Sequence, residues 1–87
     1  MLESVRLSLR KTGTEFDSEI EDIIAACKID LGLAGIVKIK DDDPLILRAV
    51  TLYAKGHFGF ADLGEKYLQS YEALRNSLAI AGDYNAE

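Results

Sequence analysis

Residues 43–59 read DPLILRAVTLYAKGHFG, and this stretch decides the fold. Asp43 is placed to cap a helix, and Pro44 takes its first position, where the missing N–H costs nothing. Leu45, Ile46, Ala49, Val50, Tyr53, Ala54, His57 and Phe58 then recur at helical spacing, and Gly59 closes the run. The apolar face is wide, so this helix is expected at the centre of the molecule, covered by other elements.

Toward the N-terminus, Ile20, Ile23, Ile24, Cys27 and Leu31 follow one another at steps of three and four. Ser18 and Glu21 have the spacing of a capping box, and Glu19, Glu21 and Asp22 suit the positive end of a helix dipole. This predicts a helix that starts near residues 17–18 and stops at Gly32. Residues 33–40, LAGIVKIK, alternate β-branched residues with lysines. No other segment offers a strand to pair with, so an extended connector lying over the helices is expected. A short hairpin or an intersubunit strand is the alternative. Before residue 12, Leu2, Val5 and Leu9 form a short helical stripe, although the alternation of Val5, Leu7 and Leu9 also fits a strand.

Toward the C-terminus, Tyr67, Leu68, Tyr71, Leu74 and Leu78 make one more amphipathic stripe, bounded by Gly64 and Gly82. Residues 83–87 have no periodicity and are expected to be a flexible tail. The predicted fold is all-α. It is a small bundle of three main helices plus a short N-terminal one, with an extended connector between the second and third. Residues 1–82 form a single domain.

The chain has 87 residues, 48% hydrophobic and 29% charged, which suits one folded domain near the lower size limit of independent stability. No apolar run approaches the ~20 residues needed to cross a bilayer, and the N-terminus does not read as a signal peptide. A net charge of −5, from 15 acidic and 10 basic residues, disfavours a general phosphate-binding surface. Arg6, Arg10 and Lys11 form the only local basic cluster.

Each candidate for chemistry is weak. Counting an EF-hand from Asp41 puts Ile46 at the glycine position and Leu52 at the glutamate position, so Asp41, Asp42 and Asp43 read as a cap with solvated charge. One cysteine, Cys27, and one histidine, His57, give neither a disulfide nor a plausible zinc set. Cys27 reads as a small buried residue, and His57 as a cation suited to a helix C-terminus. The acidic cluster from Glu15 to Asp22 reads as a solvated helix start. Gly32-Leu33-Ala34-Gly35 lacks the Lys-Ser/Thr of a phosphate loop. No catalytic residue, metal site or cofactor is expected. Phe60, in a glycine-flanked loop, fits either an interface anchor or a cover for the core.

Four short motifs follow one another along residues 17–80: Asp30-Leu31-Gly32, Asp43-Pro44, Tyr53-x-Lys55-x-x-Phe58-Gly59 and Ser70-Tyr71-Glu72-x-Leu74. In order and spacing they resemble the head–tail connector (adaptor, or DNA-packaging) proteins of tailed bacteriophages. The resemblance implies a non-enzymatic subunit of a ring homo-oligomer. Such a ring sits between the portal protein and tail-completion or stopper proteins, and DNA passes through it without specific binding. It also implies a place in the virion neck, host cytoplasm during assembly, and a phage or prophage source. In that setting Phe60, Asp83 and Tyr84 are the residues expected at protein interfaces, the last two by ordering of the tail on the portal. The alternative is a small helical DNA-binding protein with a helix-turn-helix. Against it stand the long connector and a recognition helix carrying only Arg48 and Lys55 as basic reach.

Overall fold

The computed structural model describes residues 1–85. They form α1 (Leu2–Ser8), α2 (Asp17–Leu33), α3 (Pro44–His57), a 3₁₀ turn (Phe60–Asp62), α4 (Gly64–Ile80) and α5 (Gly82–Asn85), with no strand among the described residues. The all-α expectation therefore holds, and α5 adds one turn to it.

Asp43 begins α3 as its sequence demands, accepting the Leu45 N–H on Oδ1 at 2.8 Å. The helix then packs on α1, α2 and α4. It buries Ile46, Ala49, Val50, Leu52 and Ala54. Leu45 and His57, both assigned to the buried face from the sequence, are exposed instead. Cover from several sides extends burial round to Leu52, which lies off the predicted stripe.

α2 turns Ile20, Ile24, Cys27 and Leu31 into the core as its periodicity predicts, but both of its ends differ from the sequence reading. Ser18 and Glu21 form no capping box; the cap lies two residues before Ser18, at Phe16, with no side-chain cap, and the helix starts at Asp17. The ring of Phe16 is held edge-on to Phe58, 6.4 Å between centroids, with the Lys11 ammonium over it at 4.6 Å. That packing sets where the chain enters the helix. At the other end α2 runs through Gly32 and stops at Gly35, whose φ is +98°. The Gly35 N–H donates to Gly32 O and the Ile36 N–H to Leu31 O, the bond pair of a Schellman cap. Ile36 and Leu31 both join the core, so the cap also fixes how the connector leaves the helix.

The connector, residues 34–43, turns at 34–35 and 41–42 and has no regular secondary structure between, with Ile36 buried, Ile39 packed against the core and Val37 exposed. α1 is a helix, with Val5 and Leu9 buried and Leu7 63% exposed. The tail also differs from expectation. Residues 82–85 form a helical turn, and the Tyr84 carbonyl accepts the N–H groups of Val37 and Lys38 at 2.8 and 3.3 Å. The Tyr84 hydroxyl donates to Asp43 Oδ2 at 2.8 Å. The rest of the expected tail, residues 86–87, lies outside the described residues.

α3 and α4 form an antiparallel hairpin that closes on two glycines. A Cβ on Gly64 would stand 2.8 Å from the carbonyl oxygen of Gly56, and one on Gly56 would stand 2.5 Å from the side chain of Leu68. The loop between them bends through left-handed residues, Gly59 at φ +63°, Ala61 at +55° and Asp62 at +60°. Only the first of these is a glycine.

Two stability predictions follow from this hairpin. Gly64→Ala pushes a methyl against backbone that cannot step aside, and chemical denaturation is expected to show a loss of about 1–3 kcal/mol. Ala61→Gly relieves the left-handed Cβ clash, worth about 1–2 kcal/mol, against a chain-entropy cost of about 0.5–1 kcal/mol. The variant is expected to unfold at slightly higher denaturant concentration.

Candidate functional site

The residues singled out for chemistry take structural places. Asp43 caps α3 and holds Tyr84, while Asp41 pairs with Lys28 at 2.6 Å. His57 lies on the surface with its ring against Tyr53, 4.2 Å between centroids. Cys27 is fully buried, and burial pushes its thiol up to about 12. Among the described residues no three His, Cys, Asp or Glu side chains are grouped to hold a metal ion.

The expected interface residues do not converge. Phe60 is half-buried against Tyr67, 6.2 Å between centroids, with the Lys55 ammonium 5.2 Å over its ring. Asp83 is exposed, and Tyr84 is half-buried against the connector. Phe60 precedes α4 and Asp83 follows it, so the length of that helix, about 25 Å, separates them.

Convergence occurs instead where the C-terminal ends of α2 and α4 meet. Asp30, Leu33 and Ala34 from α2 and its cap, with Arg75, Asn76, Ala79 and Ile80 from α4, line an open groove of about 520 Å³. Its floor is a polar network. The Tyr71 hydroxyl donates to Asp30 Oδ2 at 2.5 Å, and Arg75 Nη1 donates to the same oxygen at 3.0 Å. Arg75 Nε and Nη2 each approach Asn76 Oδ1 at 3.3 Å, and the guanidinium lies 5.7 Å from the Tyr71 ring. These donors, Tyr71 first and Arg75 next, hold the Asp30 carboxyl below the usual carboxylate range. Tyr71 is itself 2% exposed, and burial raises its hydroxyl well above the usual tyrosine range.

The rim of the groove is apolar and uncovered: Leu33 is 82% exposed and Ile80 84%. Leu33 continues a line through Ala26 and Ile29, all exposed, on the side of α2 opposite its core stripe. A helix that is apolar on both sides is built to be buried on both sides. The sequence contained this signal, because residues 26, 29 and 33 have helical spacing.

The charge on Asp30 links the groove to pH. A carboxyl held below its ordinary 3.8 contributes stability that is complete above that value and fades as pH falls through the depressed one. Asp30→Asn is therefore expected to be less stable than the parent at neutral pH, with the gap narrowing as pH drops below 3.8. Tyr71→Phe, which removes one hydrogen bond, is expected to cost about 1 kcal/mol. Denaturant unfolding followed by circular dichroism across the acid range checks both.

No helix among the described residues is long and apolar enough to cross a membrane. Comparison with curated proteins and with solved structures yields no match to the chain. A family model described as phage connector protein matches residues 1–85, the whole of the described structure. With a match of that extent, the chain belongs to the phage connector protein family.

Proposed function

We propose that the protein is a structural head–tail connector subunit. In this reading, copies assemble into a ring in the virion neck, between the portal protein and tail-completion or stopper proteins. DNA crosses the ring without specific binding, and assembly takes place in the host cytoplasm. The subunit performs no reaction.

One observation carries the assembly role beyond family membership: the apolar surface of α2 and of the groove, from Ile29 through Leu33 to Ile80, that the isolated chain leaves uncovered. Small domains gain stability by burying such surface on neighbours. The net charge of −5 suits a channel that repels phosphates. The helix-turn-helix alternative has less support. Residues 34–43 separate α2 from α3, and Lys55, one of the two basic side chains on α3 that face this role, lies over the rings of Phe60 and Tyr67.

Native mass spectrometry and light scattering of the purified protein, alone and with portal protein, test the proposal. A closed oligomer, formed alone or on the portal, is the expected result. A strict monomer that ignores portal protein overturns it, and salt-sensitive retention on DNA revives the alternative.

A further inference from the structure

Outside the groove and the outer face of α2, the most exposed large apolar side chain among the described residues lies at the far end of α2. Leu7 projects from α1 at 63% exposure, and Arg10 follows it in an exposed left-handed turn, φ +60°. The bond from Arg6 to Asp17, 2.9 Å, pins this end of α1 to the first turn of α2. α2 spans Asp17–Leu33, so its length puts Leu7 and Arg10 about 25 Å from Leu33 and Ile80.

The two places are opposite in charge. Arg6, Arg10 and Lys11 form the basic cluster of the chain; Arg6 is spent on Asp17 and Lys11 lies over Phe16, while Arg10 has no ion-pair partner among the described residues. The groove has the reverse character. It is framed by the C-terminal ends of α2 and α4, neither of which has a basic residue in its last turn. Neutral donors cap both ends, the Gly35 and Ile36 N–H groups on α2 and Asn85 Nδ2 on Ala79 O of α4 at 2.8 Å, so neither helix dipole meets a positive charge in its last turn. Arg75 is committed to Asp30, and the exposed Asp83 carboxylate follows shortly after Ile80.

We infer that the groove receives the Leu7–Arg10 corner of a second copy of this chain. The leucine seats between Leu33 and Ile80, and the arginine faces the helix ends and Asp83. This rests on the connector-ring reading and assigns the contact that such a ring would use. Two different surfaces at opposite ends of one helix pair head to tail, which is the geometry that propagates or closes into a ring rather than stopping at a dimer. A chain of net charge −5 repels its copies overall, so a stable contact has to be complementary locally, as this one is.

Disulfide trapping tests the pairing on the full chain. Leu7→Cys and Ile80→Cys alter exposed side chains, and the buried native Cys27, with its thiol pushed up to about 12, does not compete. Mixed, oxidised and run unreduced under denaturing conditions, the two single variants are expected to give a disulfide-linked heterodimer, each alone to form no interchain disulfide, and the double variant to give a ladder. Ile80→Asp is expected to weaken self-association on the order of tenfold or more. Arg10→Glu is expected to weaken it less, with recovery when Asp83→Arg is added. Sedimentation of the parent protein runs alongside. If the parent assembles but trapping gives only symmetric dimers or nothing, the pairing is overturned and the ring reading stands. If the parent stays monomeric with and without portal protein and nothing is trapped, both fall together.

Discussion

The absence of a side chain at Gly56 and Gly64 sets the architecture. With the site of a Gly64 Cβ only 2.8 Å from a backbone oxygen, α3 and α4 meet backbone to backbone at the base of their hairpin. That closeness leaves the loop little length, and it turns through Gly59, Ala61 and Asp62 in left-handed conformations, two of them at a steric cost. It also fixes where the rest of α4 lies. Tyr71, two turns along, comes edge-on to Tyr53 at 5.0 Å and reaches across to Asp30 of α2. The polar floor of the groove is thus a downstream product of a two-glycine contact at the other end of the helix.

Periodicity made most of this legible. The stripes on α1, α2, α3 and α4, and the Asp43-Pro44 start, point to the observed helices because apolar spacing and cap chemistry are local properties. What eluded the sequence was tertiary. Ser18 and Glu21 have capping-box spacing, but Phe16, wedged against Phe58 and Lys11, starts the helix first. Gly32 and Gly35 both qualify as helix stops, and only the packing of Ile36 beneath the cap chooses the second. The closing residues lack any pattern of their own, since Tyr84 is held by the connector and by Asp43 and not by a stripe. The groove was hidden for a similar reason. Leu33 and Ile80 belong to different helices, and their nearness is a result of the fold.

Membership in the phage connector protein family and the surface of the subunit agree in character. Asp30 and Tyr71, both with shifted affinities for protons, are tied to one another, and one carboxylate oxygen of Asp30 joins α2 to α4 by accepting from the Tyr71 hydroxyl and from Arg75 Nη1. The large uncovered groups at the rim of the same place, Leu33 and Ile80, are aliphatic. A surface of that kind is suited to burial against a partner of matching shape.

Asp43 divides its carboxylate between two tasks, one oxygen for the first turn of α3 and the other for the hydroxyl of Tyr84. Serine or threonine would start the helix as well, but the hydroxyl oxygen stands one bond nearer the backbone and has no second oxygen where Tyr84 is met. A position that by its local chemistry accepts several residues is thereby narrowed by a contact from the opposite end of the chain. Substitutions there will register at the C-terminus before they register in helix content.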